Sequence, residues 1–151
     1  MPTADPDRAR SRRVVATVLL SAHLALLIHL TLFRFGHPGA ESNLFPFLTI
    51  RHDIRAGGDE FRINILGNLA AFAPIGFLLP TALGRRGTMG RVVGICFALS
   101  LLIETLQWFS GRRVADVDDL ILNTAGGWIG HVAWVAGGWW FAEGPRPDQK
   151  A

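Results

Sequence analysis

Long apolar runs separated by short charged segments dominate the pattern along this chain. The first run, Val14 to Phe33, contains 20 residues without a charge, which is enough for about 30 Å of helix and therefore for the core of a bilayer. The later runs are interrupted only by prolines, glycines and Glu104. The pattern predicts an all-α fold, an integral membrane bundle of four transmembrane helices at about residues 14–33, 66–83, 92–109 and 119–141.

These helices are predicted to form a single membrane domain, residues 14–141. Residues 1–13 contain two prolines and four arginines, which predicts a disordered basic arm suited to anionic headgroups, and residues 142–151 form a short tail. The first apolar run also resembles a signal peptide because an arginine-rich stretch precedes it, but 20 apolar residues are long for that role. We therefore expect it to be retained as a membrane helix.

The 15 basic residues outnumber the 12 acidic ones, but they flank the apolar runs, which indicates membrane orientation rather than nucleic-acid binding. Nine lie in the N-terminal arm, between the second and third helices and in the tail, whereas six lie in the other two connections. By the positive-inside rule both termini are cytoplasmic, and residues 34–63 form an external loop.

The external loop has two parts of different character. Residues 43–50 are apolar and aromatic around Pro46, so they are expected to lie against the outer leaflet or to fold back over the bundle as a lid. Residues 51–58 end in a Gly-Gly pair, which predicts a flexible turn.

Polar residues recur at helical spacing on the predicted membrane helices. Asn64 and Asn68 share one face near the start of the second helix, and Ser100, Glu104 and Gln107 share one face of the third. Such stripes face other helices in a membrane bundle. A carboxylate at mid-helix costs about 2.5 to 3.5 kcal/mol on insertion scales, so Glu104 is expected to face protein and to have a partner there.

The fourth helix begins with a start signal. Asp116 is a suitable N-cap, and Asp119 three residues later completes a pattern that resembles a capping box. Asn123 and the G-x-x-x-G of residues 126–130 continue the same face, and the glycines are explained by helix packing alone. Asp118 falls on the opposite face and is expected to be solvated.

The polar residues are expected to converge on one pocket open to the outer leaflet, where they bind a polar headgroup. An arginine suits the paired hydrogen bonds that a phosphate or carboxylate accepts. The alternative is an interhelical hydrogen-bond network, with an ion pair between Glu104 and Arg113, that only holds the bundle together. The predicted ligand-binding set is Asn64, Asn68, Glu104, Gln107, Arg113, Asp116, Asp119 and Asn123.

These residues do not decide whether the protein is an enzyme, and the interpretation that we prefer is a non-enzymatic protein. Glu104 or Asp116 is a candidate general base if desolvation raises its pKa, but no serine or cysteine nucleophile motif is present. Glu104, Asp116 and Asp119 also suit a divalent cation such as Mg²⁺. Their spacing matches no recognised ligand pattern and Cys96 is the only cysteine, so we predict no metal site or cofactor.

Several short motifs, in order over residues 40–131, together resemble the VanZ-like membrane protein family. They are N-L-F-P-F at 43–47, N-I-L-G-N at 64–68, P-I-G-F-L-L-P at 74–80, E-x-x-Q at 104–107, R-x-x-D-x-x-D at 113–119 and L-I-L-N-T-x-G-G at 120–127. Phe45 stands where the family often has Ile, and Ala115 where it often has an aromatic residue.

The resemblance implies a small multi-pass protein of the bacterial cytoplasmic membrane, in a family named for a member linked to teicoplanin (glycopeptide) resistance. It implies no particular reaction. We expect an envelope protein that binds a lipid-linked or cell-wall component and affects glycopeptide susceptibility. The alternatives are a membrane enzyme acting on a phosphorylated lipid or cell-wall precursor, and a scaffold. Expected partners are membrane lipids and a lipid-linked cell-wall precursor, with a homo-oligomer or an envelope protein as further candidates.

Overall fold

The computed structural model describes residues 6–31, 43–110 and 116–141, and these are almost entirely helical. The predicted all-α class is therefore confirmed for the described part of the chain. The helices are α1 (Pro6–His29), α2 (Leu48–Ala56), α3 (Gly58–Glu60), a π-helical segment (Phe61–Leu66), α4 (Gly67–Leu83), a 3-10 turn (Gly84–Arg86), α5 (Met89–Ser110) and α6 (Val117–Phe141).

Helix α1 begins at Pro6, so the prediction of a disordered arm through residue 13 is wrong for residues 6–13. Proline suits the first turn of a helix because it lacks an N–H that would have no partner there, and Asp7 favours the positive end of the helix dipole. Near the end of this stretch, the Arg13 Nε donates a 2.7 Å hydrogen bond to the carbonyl oxygen of Ala82 in α4. The basic segment is thus helical and is attached to the bundle.

Residues 51–58 were expected to form a flexible turn, but residues 51–56 belong to helix α2, so that prediction is wrong for most of the segment. The change of direction is confined to Gly57 and Gly58, whose φ angles are 63° and 60°, a region that glycine enters without steric cost. The Gly57 N–H donates to the Asp53 carbonyl at 2.8 Å and so closes the last turn of α2. After this corner the chain is helical from Gly58 to Leu83.

Three helices are long and apolar enough to cross a membrane, namely Asp7–His29, Gly58–Leu83 and Met89–Phe109. This finding supports a membrane protein and confirms three of the four predicted spans by length and composition. Helix α6 is 25 residues long but is not among the three. Its polar residues and several glycines lower its mean hydropathy.

Helix α4 is central, and it packs most extensively against α6 through close backbone approach. A Cβ atom added at Gly130 would lie 2.0 Å from the Ala73 carbonyl oxygen, and one at Gly126 would lie 2.4 Å from that of Leu69. The predicted packing role of the G-x-x-x-G segment is therefore confirmed. The apolar core between α1, α4 and α5 includes Leu20, Leu27, Phe72, Ile75, Leu79, Val92, Cys96 and Ile103.

Candidate functional site

The start of α6 is held by Asp116, which connects three parts of the chain. Its Oδ1 accepts a 2.8 Å bond from the Asp118 N–H, as an N-cap does, and a 2.9 Å bond from the Asn43 side chain. Its Oδ2 accepts from the Thr49 hydroxyl at 2.7 Å, and its own N–H donates to Glu104 Oε2 at 3.0 Å. The predicted N-cap is confirmed, and both carboxylate oxygens take part in structural hydrogen bonds.

Asp118 is fully buried, so the expectation that it is solvated is wrong. Its carboxylate accepts hydrogen bonds from the backbone N–H groups of Phe47 at 2.5 Å and Ile50 at 3.0 Å. Those groups belong to the first turn of α2, which would otherwise lack partners for them. The helix wheel predicts that Asp118 lies on the face opposite the pocket. That face packs against residues 47–50 and is not exposed to solvent.

A cavity lies beside this junction, between α1, α4, α5 and α6. Five of the eight predicted ligand-binding residues line it, together with Thr31 and four apolar side chains. The sequence prediction that polar faces from three helices converge is therefore matched by these five residues, which are Asn68, Glu104, Gln107, Asp119 and Asn123.

Hydrogen bonds cross between helices around the cavity. Asn68 Nδ2 donates to Asp119 Oδ1 at 2.5 Å, and Gln107 Nε2 donates to the Thr31 carbonyl at 3.1 Å. Asn123 Nδ2 donates to the Ser100 hydroxyl at 2.9 Å. The Asn123 Oδ1 is buried and accepts no hydrogen bond from the described residues. A buried amide oxygen without a donor is costly, so this atom favours a bound molecule that supplies one.

The size of the cavity limits what it can hold. Its volume is about 30 Å³, whereas a water molecule needs at least roughly 10–15 Å³ measured in the same way. The cavity thus has room for about one or two waters, or for one polar group of a larger molecule. It does not have room for an entire headgroup.

Two other predicted site residues, Asn64 and Asp116, are not part of this cavity lining. Asn64 lies on the π-helical segment, where its Nδ2 donates to Asp53 Oδ2 at 3.0 Å. Both carboxylate oxygens of Asp116 accept hydrogen bonds at the start of α6. Asp116 is therefore less suited than Glu104 to act as a general base. Arg113, and with it the proposed ion pair to Glu104, lies outside the described residues.

Sequence reasoning missed Thr31, Asp53 and the cap formed by Asp118. The capping role has a partial signal, since Asp118 lies in an acidic cluster at a helix start, but the N–H groups that donate to it are about 70 positions away. Asp53 is buried on a short helix that was expected to be a turn. No local pattern identifies either tertiary contact.

The described fold and cavity define a small helical membrane protein with a buried polar site at one end of its bundle. The chain belongs to the VanZ/LLP1 family, whose model matches residues 20–140. It is similar to the Protein VanZ of Enterococcus faecium, with 29% identity over 126 residues that cover 78% of this chain and 72% of that protein. No solved structure gives a significant match.

Proposed function

We propose that the chain crosses the bacterial cytoplasmic membrane four times, with both termini in the cytoplasm. Helix α6 has 25 residues, or about 37 Å at 1.5 Å per residue, which is enough for a bilayer core. Its buried polar residues Asn123 and His131 face protein rather than lipid, which is how membrane helices accommodate such groups. A fourth crossing also keeps the arginines of residues 8–13 and of residues 85–91 on one side with the basic tail.

We propose further that the protein binds a lipid-linked or cell-wall component at the external end of this bundle. The observation that carries this proposal is the convergence of five polar residues on one small cavity inside an apolar bundle. Buried polar groups of this kind are expensive in a membrane and are typical of functional sites. A non-enzymatic role remains preferred because Asp116, one of the two candidate bases, is fully used as a helix cap.

The small volume of the cavity limits how much of a ligand can enter it. Only one polar group of the ligand, such as a hydroxyl or an amine, enters the cavity and donates to Asn123 Oδ1. The rest of the ligand lies over the segment at residues 43–48, where Leu44 and Phe45 are 72% and 75% exposed. These apolar side chains suit the hydrocarbon part of a lipid-linked molecule.

Native mass spectrometry of the gently extracted protein tests the proposal. Wild type is compared with Glu104→Gln, which keeps an acceptor for the Asp116 N–H, and with Arg113→Lys. The matched control is Thr105→Val, which removes an exposed hydroxyl bonded within α5 to the Leu101 carbonyl. We expect wild type and the control to retain one defined lipid-linked species, and both site variants to lose it while remaining folded.

Equal lipid retention by all four folded proteins, or none by any of them, would contradict the proposed binding function and favour a scaffold. The same variants are then expressed in a teicoplanin-sensitive bacterium. If binding affects glycopeptide susceptibility, the inhibitory concentration changes with wild type and the control but not with the two site variants.

A further inference from the structure

A second group of polar side chains lies away from the cavity, at the corner between α2 and α3. His52, Asp53 and Glu60 each present one potential ligand atom, and these atoms all lie within 4.8 Å of one another. The His52 Nδ1 is 3.2 Å from Asp53 Oδ1 and 3.9 Å from Glu60 Oε2. The positive φ angles at Gly57 and Gly58 reverse the chain and bring Glu60 back beside α2.

The geometry is close to that of a first coordination shell. Two ligands of a tetrahedral ion, each about 2.1 Å from the metal, lie about 3.4 Å apart. The distance between His52 Nδ1 and Asp53 Oδ1 is 3.2 Å, at which the two groups are hydrogen-bonded, and it is close to this value. The Glu60 side chain is 57% exposed, so it is free to move the small distance that a bound ion requires.

A hydrogen bond from Asn64 orients the Asp53 carboxylate within this group of side chains. Its side chain is 4% exposed on a helix whose other residues are mostly exposed, and Asn64 Nδ2 donates to its Oδ2 at 3.0 Å. The other oxygen, Oδ1, is thereby directed towards His52. Hydrogen bonds of this kind orient ligating carboxylates and are a regular feature of metal sites.

We propose that His52, Asp53 and Glu60 bind a first-row divalent transition metal ion such as Zn²⁺ or Mn²⁺. One imidazole nitrogen with two carboxylates suits these ions, whereas Mg²⁺ and Ca²⁺ prefer oxygen ligands alone. His52 is 70% exposed on its side chain, so the remaining coordination positions face outward and take water or an external anion. The ion connects α2 to the helical segment that leads into α4.

The test uses the full-length protein in detergent after treatment with a chelator, and Zn²⁺ alone as the probe in isothermal titration calorimetry. We expect one Zn²⁺ per chain, at least a tenfold loss of affinity in His52→Ala and Glu60→Gln, and a 10- to 100-fold loss in Asn64→Ala. Asp59→Asn is the matched control, because Asp59 lies next to Glu60 and is 89% exposed, and it keeps the wild-type affinity.

Two outcomes would overturn the metal site: no Zn²⁺ binding by wild type at 100-fold molar excess, or equal binding by wild type and the two ligand variants. Pulsed electron paramagnetic resonance of the Mn²⁺-loaded wild type provides a test that needs no variant. It should show coupling to one imidazole nitrogen, and the absence of that coupling would also refute the site.

Discussion

Asp118 shows how a single buried carboxylate connects distant parts of this chain. It lies in the first turn of α6, yet it accepts the backbone N–H groups of Phe47 and Ile50. A carboxylate that caps a helix from outside replaces the side chain that usually occupies the N-cap position. Phe47 precedes α2 with a positive φ of 66° and forms no side-chain cap, so α2 depends on Asp118 for its start.

Replacing Asp118 with alanine should therefore detach α2 from the bundle. The change leaves two backbone donors without their acceptor, and we expect a loss of about 1–3 kcal/mol in the free energy of unfolding. Limited proteolysis should cut first within residues 48–56, and hydrogen exchange should speed up in the same segment. Asp59→Ala, at an exposed position near the same corner, should change neither measurement. Unchanged protection of α2 in Asp118→Ala would contradict this assignment.

The sequence predicts the positions of site residues only where the period of the α-helix alone determines the side of the helix on which each side chain lies. The spacing of Glu104 and Gln107 predicts that they share one inward face, and both line the cavity. Asn64 does not line the cavity; it lies on a π-helical segment, where the advance per residue differs from that of an α-helix. Its partner, Asp53, belongs to a segment whose helical structure no periodic pattern indicated.

At the scale of elements, the contact between α4 and α6 depends on the absence of side-chain atoms. In Gly130→Ala, the new methyl group would meet the Ala73 carbonyl and the Phe77 amide, both of which are backbone atoms that cannot rotate away. Forcing extra volume into a packed contact costs about 1–3 kcal/mol. Thermal unfolding in detergent should show a lower midpoint for this variant.

Gly94→Ala is the matched control for this prediction. Gly94 lies within α5, and a Cβ there would meet no atom within 4 Å. Since alanine is favoured over glycine in a helix by about 1 kcal/mol, this variant should be as stable as wild type or slightly more stable. If the two substitutions had the same effect, close approach of α4 and α6 would not be a source of stability.

The apolar elements were predictable because a bilayer-length run of apolar residues leaves few alternatives to a helix. The predicted starts at residues 92 and 119 lie within three residues of Met89 and Val117, whereas the helical segment that contains α4 begins at Gly58, eight residues before the predicted start at 66. The polar helical segments were not predictable in this way. Helix α2 and residues 6–13 are stabilised by contacts with distant residues, through Asp118 and through Arg13, and hydropathy does not report such contacts.

At the scale of the whole molecule, the number of crossings determines which face of the membrane each site meets. Four crossings place both termini together and put α2, the cavity end of the bundle and the His52 group on the opposite side. If α6 did not cross, the C-terminal tail would share a side with α2. The two topologies therefore differ in the position of the tail, which can be labelled directly.

Single cysteines and a membrane-impermeant maleimide distinguish these topologies in intact cells. The natural Cys96 is fully buried, so it should give little background in the folded protein. With α6 crossing, Arg55→Cys should react from outside, whereas Ser11→Cys and Gln149→Cys should react only after the membrane is permeabilised. Labelling of both Arg55→Cys and Gln149→Cys in intact cells would exclude the fourth span and the cytoplasmic tail. Labelling of Ser11→Cys but not of Arg55→Cys in intact cells would indicate the inverted orientation. The cavity would then open to the cytoplasm, where an external cell-wall ligand could not reach it.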